Sequence, residues 1–305
     1  MEQSTKLGCV DSGATCVRLP YTPPYDWAAI SAFLAARAIP GVEWVDEAGA
    51  YHRSIAVGDA HGTARIEAGN GAGLIATLHF PHARDHTAIT ERLGRVFDLG
   101  ADPLAIGAHL SLDRTLALLV QAHPGLRMPR GWDGFEIAVR AILGQQITVS
   151  AATKLAGKLV AAHGVALNTP YRGITHVFPS AARLAVADLQ TLGMPGARAR
   201  ALSAIAAAVV VDPELLSPMR PLEATLQRLR SLPGIGEWTA QYIAMRALGS
   251  PDALPVADIG LLRALADLDG RRPTAAELLA RAEAWRPWRT YAVIHLWTGG
   301  SSARR

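Results

Sequence analysis

Leu222-Glu-Ala-Thr-Leu-Gln-Arg-Leu-Arg-Ser231, then Leu232-Pro233-Gly234-Ile235-Gly236, then Glu237-Trp238-Thr239-Ala240-Gln241-Tyr242-Ile243 is the stretch on which the fold turns. The first ten residues repeat apolar side chains at helical spacing, and the last seven restart a helix. Between them Pro233 forbids the first helix to continue. Gly234 and Gly236 open the left-handed region of the backbone and leave no side chain to block a close approach. Two helices joined in this way are an ordinary αα-hairpin. The alternative reading is a phosphate reader, because the free amides at the start of the second helix, at the positive end of its dipole, can face a phosphate. Such a turn grips backbone charge without reading sequence.

Outward from the hairpin, helical patterns recur on both sides, at 111–122, 133–144, 148–163, 180–191, 196–210, 259–268, 274–283 and 287–297. Short Gly/Pro turns separate them. Before residue 110 the pattern changes. Asp26 is a suitable N-cap for a helix over 27–38, a further helix covers 84–99, and short β-like runs lie at 42–45, 51–57, 63–67 and 74–80. Strands first and helices afterwards predict an α+β chain. The expected division is a flexible lead-in over 1–20, an N-terminal antiparallel-sheet domain over 21–110, and an all-helical region over 111–305 with the hairpin at 222–248.

The charge is distributed to match. The 305 residues carry a net charge of +4, but residues 1–115 hold 9 basic and 13 acidic side chains, net −4, and residues 116–305 hold 21 and 13, net +8. A basic half carrying a phosphate-reading turn points to a nucleic-acid partner. Apolar residues make up 50% and charged ones 18%, which excludes wholesale disorder. The longest aliphatic run, 201–211, is too short to span a bilayer, and the first twenty residues lack the basic-then-apolar pattern of a signal peptide. A cytoplasmic protein with no membrane partner is expected. Two cysteines, Cys9 and Cys16, cannot supply a four-cysteine iron–sulfur cluster or a four-ligand zinc site. His79-Phe-Pro-His82-Ala-Arg-Asp-His86 looks like a metal cluster but is broken by proline and reads as a surface loop.

Chemistry needs a separate signal. Asp258, in Leu254-Pro-Val-Ala-Asp258-Ile-Gly, reads by itself as a helix N-cap. Trp238 and Tyr242 stand i and i+4 on one helix face, where core packing is the ordinary fate of aromatics. Taken with the hairpin, these residues resemble the helix-hairpin-helix superfamily of base-excision DNA glycosylases. Tyr21-Thr-Pro-Pro-Tyr-Asp-Trp27, Phe33-Leu-Ala-Ala-Arg-Ala38, Arg140-Ala-Ile-Leu-Gly-Gln-Gln146, Arg286-Pro-Trp-Arg-Thr-Tyr-Ala292 and Ile294-His-Leu-Trp297 resemble the bacterial inducible 3-methyladenine DNA glycosylase II family. The resemblance covers about residues 19–300.

The resemblance implies two helical lobes behind the N-terminal domain, with the active site in the cleft between them. It implies a catalytic carboxylate at Asp258, a base pocket of Trp238, Tyr242 and Trp297, and DNA contacts at Gly234 and Gly236. A base-flipping wedge falls at Gln145-Gln146, where the best-known member has leucine at the place of Gln146. It further implies a monovalent cation on the carbonyls of Arg230, Leu232 and Gly234. Bifunctional members carry a lysine two residues past the last hairpin glycine; this chain has Trp238 there, and its lysines are Lys6, Lys154 and Lys158. The expected activity is therefore monofunctional release of alkylated bases such as 3-methyladenine from duplex DNA, by a monomer, in a bacterial cell, with no cofactor. A non-catalytic helix-hairpin-helix DNA-binding module is the alternative, and a glycosylase for oxidised or mismatched bases a second one. Trp285, Trp288 and Tyr291 are expected to pack the last helix on the hairpin, with Arg286 and Arg289 either on phosphate or in solvent.

Overall fold

The computed structural model describes residues 5–7 and 13–302. Six antiparallel strands form the N-terminal sheet: β1 (Thr5–Leu7), β2 (Thr15–Pro20), β3 (Glu43–Val45), β4 (Tyr51–Val57), β5 (Ala60–Ala68) and β6 (Gly73–His79), in the order β1-β2-β6-β5-β4-β3. Helices α1 (Trp27–Ala35), α2 (His86–Val96), α3 (Pro103–Leu110) and α4 (Arg114–Ala122) accompany it. The chain continues through α5 (Gly134–Leu143), α6 (Val149–His163), β7 (Val165–Tyr171), β8 (Ile174–Val177), α7 (Ala181–Ala185) and α8 (Gly196–Val211). The hairpin helices are α9 (Leu222–Arg230) and α10 (Glu237–Arg246), and α11 (Ile259–Asp269), α12 (Ala275–Ala282) and α13 (Arg289–Ser302) complete the fold.

Two expectations need correction. Residues 15–20 are not a lead-in but strand β2, paired along its whole length with β6 from Thr15↔Leu78 to Pro20↔Gly73. Val17 and Leu19 point into the core while their neighbours do not, the alternation of a one-sided strand. The region expected to be wholly helical contains the hairpin β7–β8, which bulges between Ala166 and Tyr171 and exposes most of its first strand. Cys16 is disulfide-bonded; Cys9 lies outside the described residues.

Aspartates start the helices that follow the sheet. Asp102, Asp113 and Asp133 each accept two backbone amides at the first turns of α3, α4 and α5, which satisfies donors that a helix start otherwise orphans. The core is continuous from Val17 on β2 to Leu296 on α13. Buried ion pairs fasten the sheet to α5. Arg53 Nη2 donates to Glu136 Oε2 at 2.8 Å, and Arg140 Nη2 bridges Glu136 Oε1 at 2.7 Å and Glu43 Oε2 at 2.5 Å. Two guanidiniums against two carboxylates balance, as buried charges must.

The C-terminal aromatics bind elsewhere than the hairpin. Trp285 Nε1 donates to Asp113 Oδ2 at 2.9 Å and Tyr291 Oη to Asp98 Oδ2 at 2.7 Å, so both anchor the chain end to the α2–α4 region. Arg286 and Arg289 pair with Asp252 and Glu283.

Candidate active site

Asp258 caps α11 and is fixed by three donors. Its Oδ1 accepts the Leu261 amide at 2.9 Å and the Trp297 indole N–H at 3.1 Å, and its Oδ2 accepts the Trp238 indole N–H at 2.9 Å. The donors come from α11, α13 and α10, so the carboxylate stands where three helices converge. An N-cap and two indoles leave it little rotational freedom, which is what a group aimed at a developing charge requires.

The rings that hold the carboxylate also form a wall beside it. Trp238 stacks on Tyr242 with centroids 5.4 Å apart at 25°, as their i, i+4 spacing allows. Tyr242 lies 6.2 Å from Trp297, and Trp297 stacks at 6.4 Å and 15° on Phe33 of α1. All three expected pocket aromatics remain half-buried while Phe33 is buried, so the wall ends in the core and opens at the cleft.

Two guanidiniums back this wall, and neither was assigned a role from the sequence. Arg37 places Cζ 3.7 Å from the Phe33 centroid and 5.9 Å from Trp297. Arg246 lies 5.0 Å from Phe33 and donates Nη1 to the Tyr242 hydroxyl at 3.0 Å. Burial holds the Arg37 guanidinium down at about 10, against the opposing pull of Tyr242 and Asp258. Burial would raise the Tyr242 hydroxyl, but Arg246, Arg37 and Arg140 outweigh it and leave it below its ordinary value. Arg37 sits one helical turn past Phe33 in the motif Phe33-Leu-Ala-Ala-Arg37, and that i, i+4 spacing was the available signal.

Gly260 is the other residue the sequence left unassigned. A Cβ there would stand 2.9 Å from Asp258 Oδ1 and 3.5 Å from Trp297 Nε1. Only glycine leaves the carboxylate and the indole room to meet.

The hairpin turn and the loop after α5 meet on one side of the cleft. Gly234 has φ +78°, and a Cβ there would lie 2.6 Å from the Ala201 Cβ, so α8 packs directly against the turn. Gly236 caps α10 with extended backbone, open space around its Cα and no side chain to offer the helix amides. Gln145 donates Nε2 to the Gly234 carbonyl at 2.8 Å and to Thr239 Oγ1 at 3.0 Å, while Arg198 Nη2 holds its own carbonyl at 2.6 Å. Gln145 is thus a strut between loop and hairpin, and its side chain is engaged. Gln146 beside it is exposed with φ +58°, a left-handed conformation that non-glycine residues seldom adopt. Arg230 is clamped between Glu223 at 2.8 Å and Glu237 at 2.9 Å, one from each hairpin helix. Among the described residues no group of three or more His, Cys, Asp or Glu could hold a metal ion, and no helix is long and apolar enough to cross a membrane.

An α+β chain with a helix-hairpin-helix beside a carboxylate and an aromatic cleft defines a class, the HhH-GPD superfamily of base excision DNA repair proteins, whose family model matches residues 139–290. A second family model, the AlkA N-terminal domain, matches residues 16–133. The chain belongs to the AlkA (DNA-3-methyladenine glycosylase 2) family. It is 36% identical over 291 residues to the DNA-3-methyladenine glycosylase 2 of Escherichia coli K12, covering 92% of this chain and 95% of that one. It is 38% identical over 295 residues to a probable bifunctional transcriptional activator/DNA repair enzyme AlkA of Mycobacterium tuberculosis (strain CDC 1551 / Oshkosh). That match covers 94% of this chain but 57% of the relative, so the chain spans little more than half the mycobacterial protein. Its fold is similar to that of a 3-methyladenine DNA glycosylase from Archaeoglobus fulgidus, with a TM-score of 0.83, 22% identity, and coverage of 94% of this chain and 99% of that one.

Proposed function

We propose that the protein is a monofunctional DNA glycosylase that hydrolyses the N-glycosidic bond of alkylated bases, 3-methyladenine among them, in duplex DNA. The observation that carries this reading is the pinning of Asp258 by the indoles of Trp238 and Trp297, which makes the same two rings both the wall of the cleft and the mount of its carboxylate.

The damaged base lies inside the stack and must be flipped out at a cost of a few kcal/mol. The Gly234–Gly236 turn grips the phosphates through the uncapped start of α10. Gln146, exposed on a left-handed turn of the backbone, enters the gap left in the duplex and offers hydrogen bonds to the orphaned base. Gln145 stays behind and couples that loop to the turn. In the cleft an alkylated purine, already cationic, stacks on the electron-rich faces of Trp238, Tyr242 and Trp297. It is a good leaving group and needs no strong acid. The sugar becomes oxocarbenium-like as the bond breaks, and Asp258 stabilises that charge and orients the attacking water. No amine occupies position 238, so no Schiff base forms and the strand is not nicked.

The carbonyls of Arg230, Leu232 and Gly234 are proposed to hold a monovalent cation. Leu232 O accepts the Ile235 backbone N–H at 3.2 Å and Gly234 O the Gln145 side-chain Nε2 at 2.8 Å, which leaves each a second lone pair. A neutral carbonyl set suits a singly charged ion, and the neighbouring Glu223 and Glu237 are taken by Arg230. The partner is DNA of the bacterial nucleoid, met by a monomer.

The test is release of methylated bases from alkylated duplex DNA. Wild type releases them, and Asp258→Asn loses roughly 10²–10⁴-fold in rate while its melting temperature shows that the N-cap survives. Borohydride leaves no covalent protein–DNA adduct. Release unaffected by Asp258→Asn overturns the role of Asp258, an adduct overturns the monofunctional reading, and no release by wild type overturns the activity.

A further inference from the structure

Among the described residues, three that are not glycine have a left-handed backbone: Asp98 at φ +51°, Gln146 at +58° and Arg172 at +45°. Two of them have a local reason. Aspartate is among the residues that tolerate this region. Arg172 shares with Gly173, at +87°, the two-residue loop between the paired Tyr171 and Ile174, where both positions call for positive φ. Gln146 has neither reason. Gly144, two residues earlier, keeps φ −78°, so the residue that could take a left-handed turn freely does not take it. A glutamine left to itself favours the right-handed region by ~5–30-fold, and a group outside Gln146 must hold it.

The φ of Gln146 is its rotation against the planar peptide that joins it to Gln145, and that plane carries the Gln145 carbonyl. Arg198 Nη2 grips this oxygen at 2.6 Å. The Gln145 side chain is fixed as well, with Nε2 on the Gly234 carbonyl at 2.8 Å and on Thr239 Oγ1 at 3.0 Å. On the far side Thr148 Oγ1 caps α6 through the Ala151 amide at 3.2 Å. The peptide before Gln146 is thus set by groups of α8 and the hairpin, the one after it leads into a capped helix, and Gln146 absorbs the turn between them.

Arg198 stands in the first turn of α8, where a cation works against the helix dipole. The helix gains nothing from it there. One turn further on, Ala201 backs Gly234, whose Cβ would lie 2.6 Å from the Ala201 Cβ. The same helix therefore mounts both the hairpin turn and the loop that carries Gln146.

We infer that Arg198 is a positioning residue for base flipping, whose grip on the Gln145 carbonyl keeps Gln146 in the left-handed form in which it enters the duplex. This role rests on the reading of Gln146 as the wedge.

The test pairs Arg198→Ala with Gln146→Asn, because asparagine keeps the amide and tolerates the left-handed region. Arg198→Met, which keeps the stem and loses the donors, replaces alanine if that variant does not fold. In the free protein the one-bond Cα–Hα coupling of Gln146, which separates positive from negative φ, should lose its positive-φ value in Arg198→Ala. Single-turnover release of a methylated base from duplex DNA should fall about 5–30-fold, the share of loops no longer in the competent form. That loss should shrink to less than about threefold in the Gln146→Asn background, and vanish when the lesion faces an abasic site and no opposite base is left orphaned. The salt slope of duplex binding should stay as in wild type, whereas a lost phosphate contact would lower it by about 1. Arg198 does not have this role if coupling and rate are unchanged, if the loss is as large with Gln146→Asn or opposite an abasic site, or if the salt slope falls. Base release untouched by Gln146→Ala is a separate outcome, which overturns the wedge reading itself and the role of Arg198 with it.

Discussion

At the scale of the residue, two glycines act in opposite ways. Gly234 is required by its own backbone and by α8 behind it, since φ is +78° and a Cβ would strike the Ala201 Cβ at 2.6 Å. Gly260 lies in the first turn of α11, exposed, where alanine would ordinarily be favoured by about 1 kcal/mol. Its constraint is the carboxylate, 2.9 Å from where the new Cβ would stand. Gly260→Ala is therefore expected to keep or raise the melting temperature while kcat for base release falls about 10–100-fold, because a displacement of about 1 Å at a reacting group is costly. Paired calorimetry and single-turnover kinetics check this, and a variant with unchanged kcat would show that the carboxylate tolerates the shift. Gly234 was legible in Leu232-Pro-Gly-Ile-Gly236 because its reason is local. Gly260 was not, because its reason is a meeting with Trp297 on another helix, 37 positions along the chain.

At the scale of the element, α13 is tied to α4 and α1 through buried histidine. His295 is 3% exposed with an unpartnered Nδ1, and His123 pairs with Asp26 at 2.8 Å nearby. Burial, helped by the charge of His123 and opposed by the Leu119 backbone and Asp26, lowers His295 to about 4. An unfolded histidine titrates near ~6.5, so between the two values the unfolded chain takes up a proton that the native chain refuses. Stability is thus full above pH ~6.5 and falls as pH drops towards 4, by up to about 3 kcal/mol. Urea unfolding at pH 7.5, 6 and 5 should show that slope in wild type and a shallower one in His295→Asn; equal slopes would remove His295 as the cause. The elements themselves were largely legible. Helices with an aspartate start and a glycine or proline stop stood out, as in α4 and α5, and so did the central strands. Strand β2 was missed although Val17 and Leu19 alternate, since six residues beside an aperiodic start carry little pattern. β7 was missed because Asn168, Thr169 and Pro170 are polar or strand-breaking, and what makes it a strand is its pairing with β8.

At the scale of the whole molecule, a division at residues 110 and 111 suggests two bodies, yet the physical ties cross it. Arg53 reaches Glu136, Arg140 reaches Glu43, Arg127 donates to the Thr22 carbonyl at 2.6 Å, and Tyr291 closes on Asp98. Phe33 and Arg37 of α1 complete a cleft whose carboxylate comes from α11. The charge split follows the same logic. The net −4 of residues 1–115 and the +8 of residues 116–305 set which part carries the phosphate-facing turn, while the core beneath runs uninterrupted from Val17 to Leu296. Cutting such a chain would break the Arg53–Glu136 and Arg140–Glu43 pairs, leave each of the four charges with one partner fewer, and expose the core they cover, and losing a buried partner is destabilising by several kcal/mol. Neither part should then survive the loss of the other, and the whole should unfold in one step. Scanning calorimetry is expected to show one transition with a calorimetric to van't Hoff enthalpy ratio of about 1, and residues 111–305 expressed alone should show no cooperative melt. Two resolved transitions, or a cooperative melt of the fragment, would mean that the sheet is an appended module and that α1 reaches the cleft without depending on it for stability.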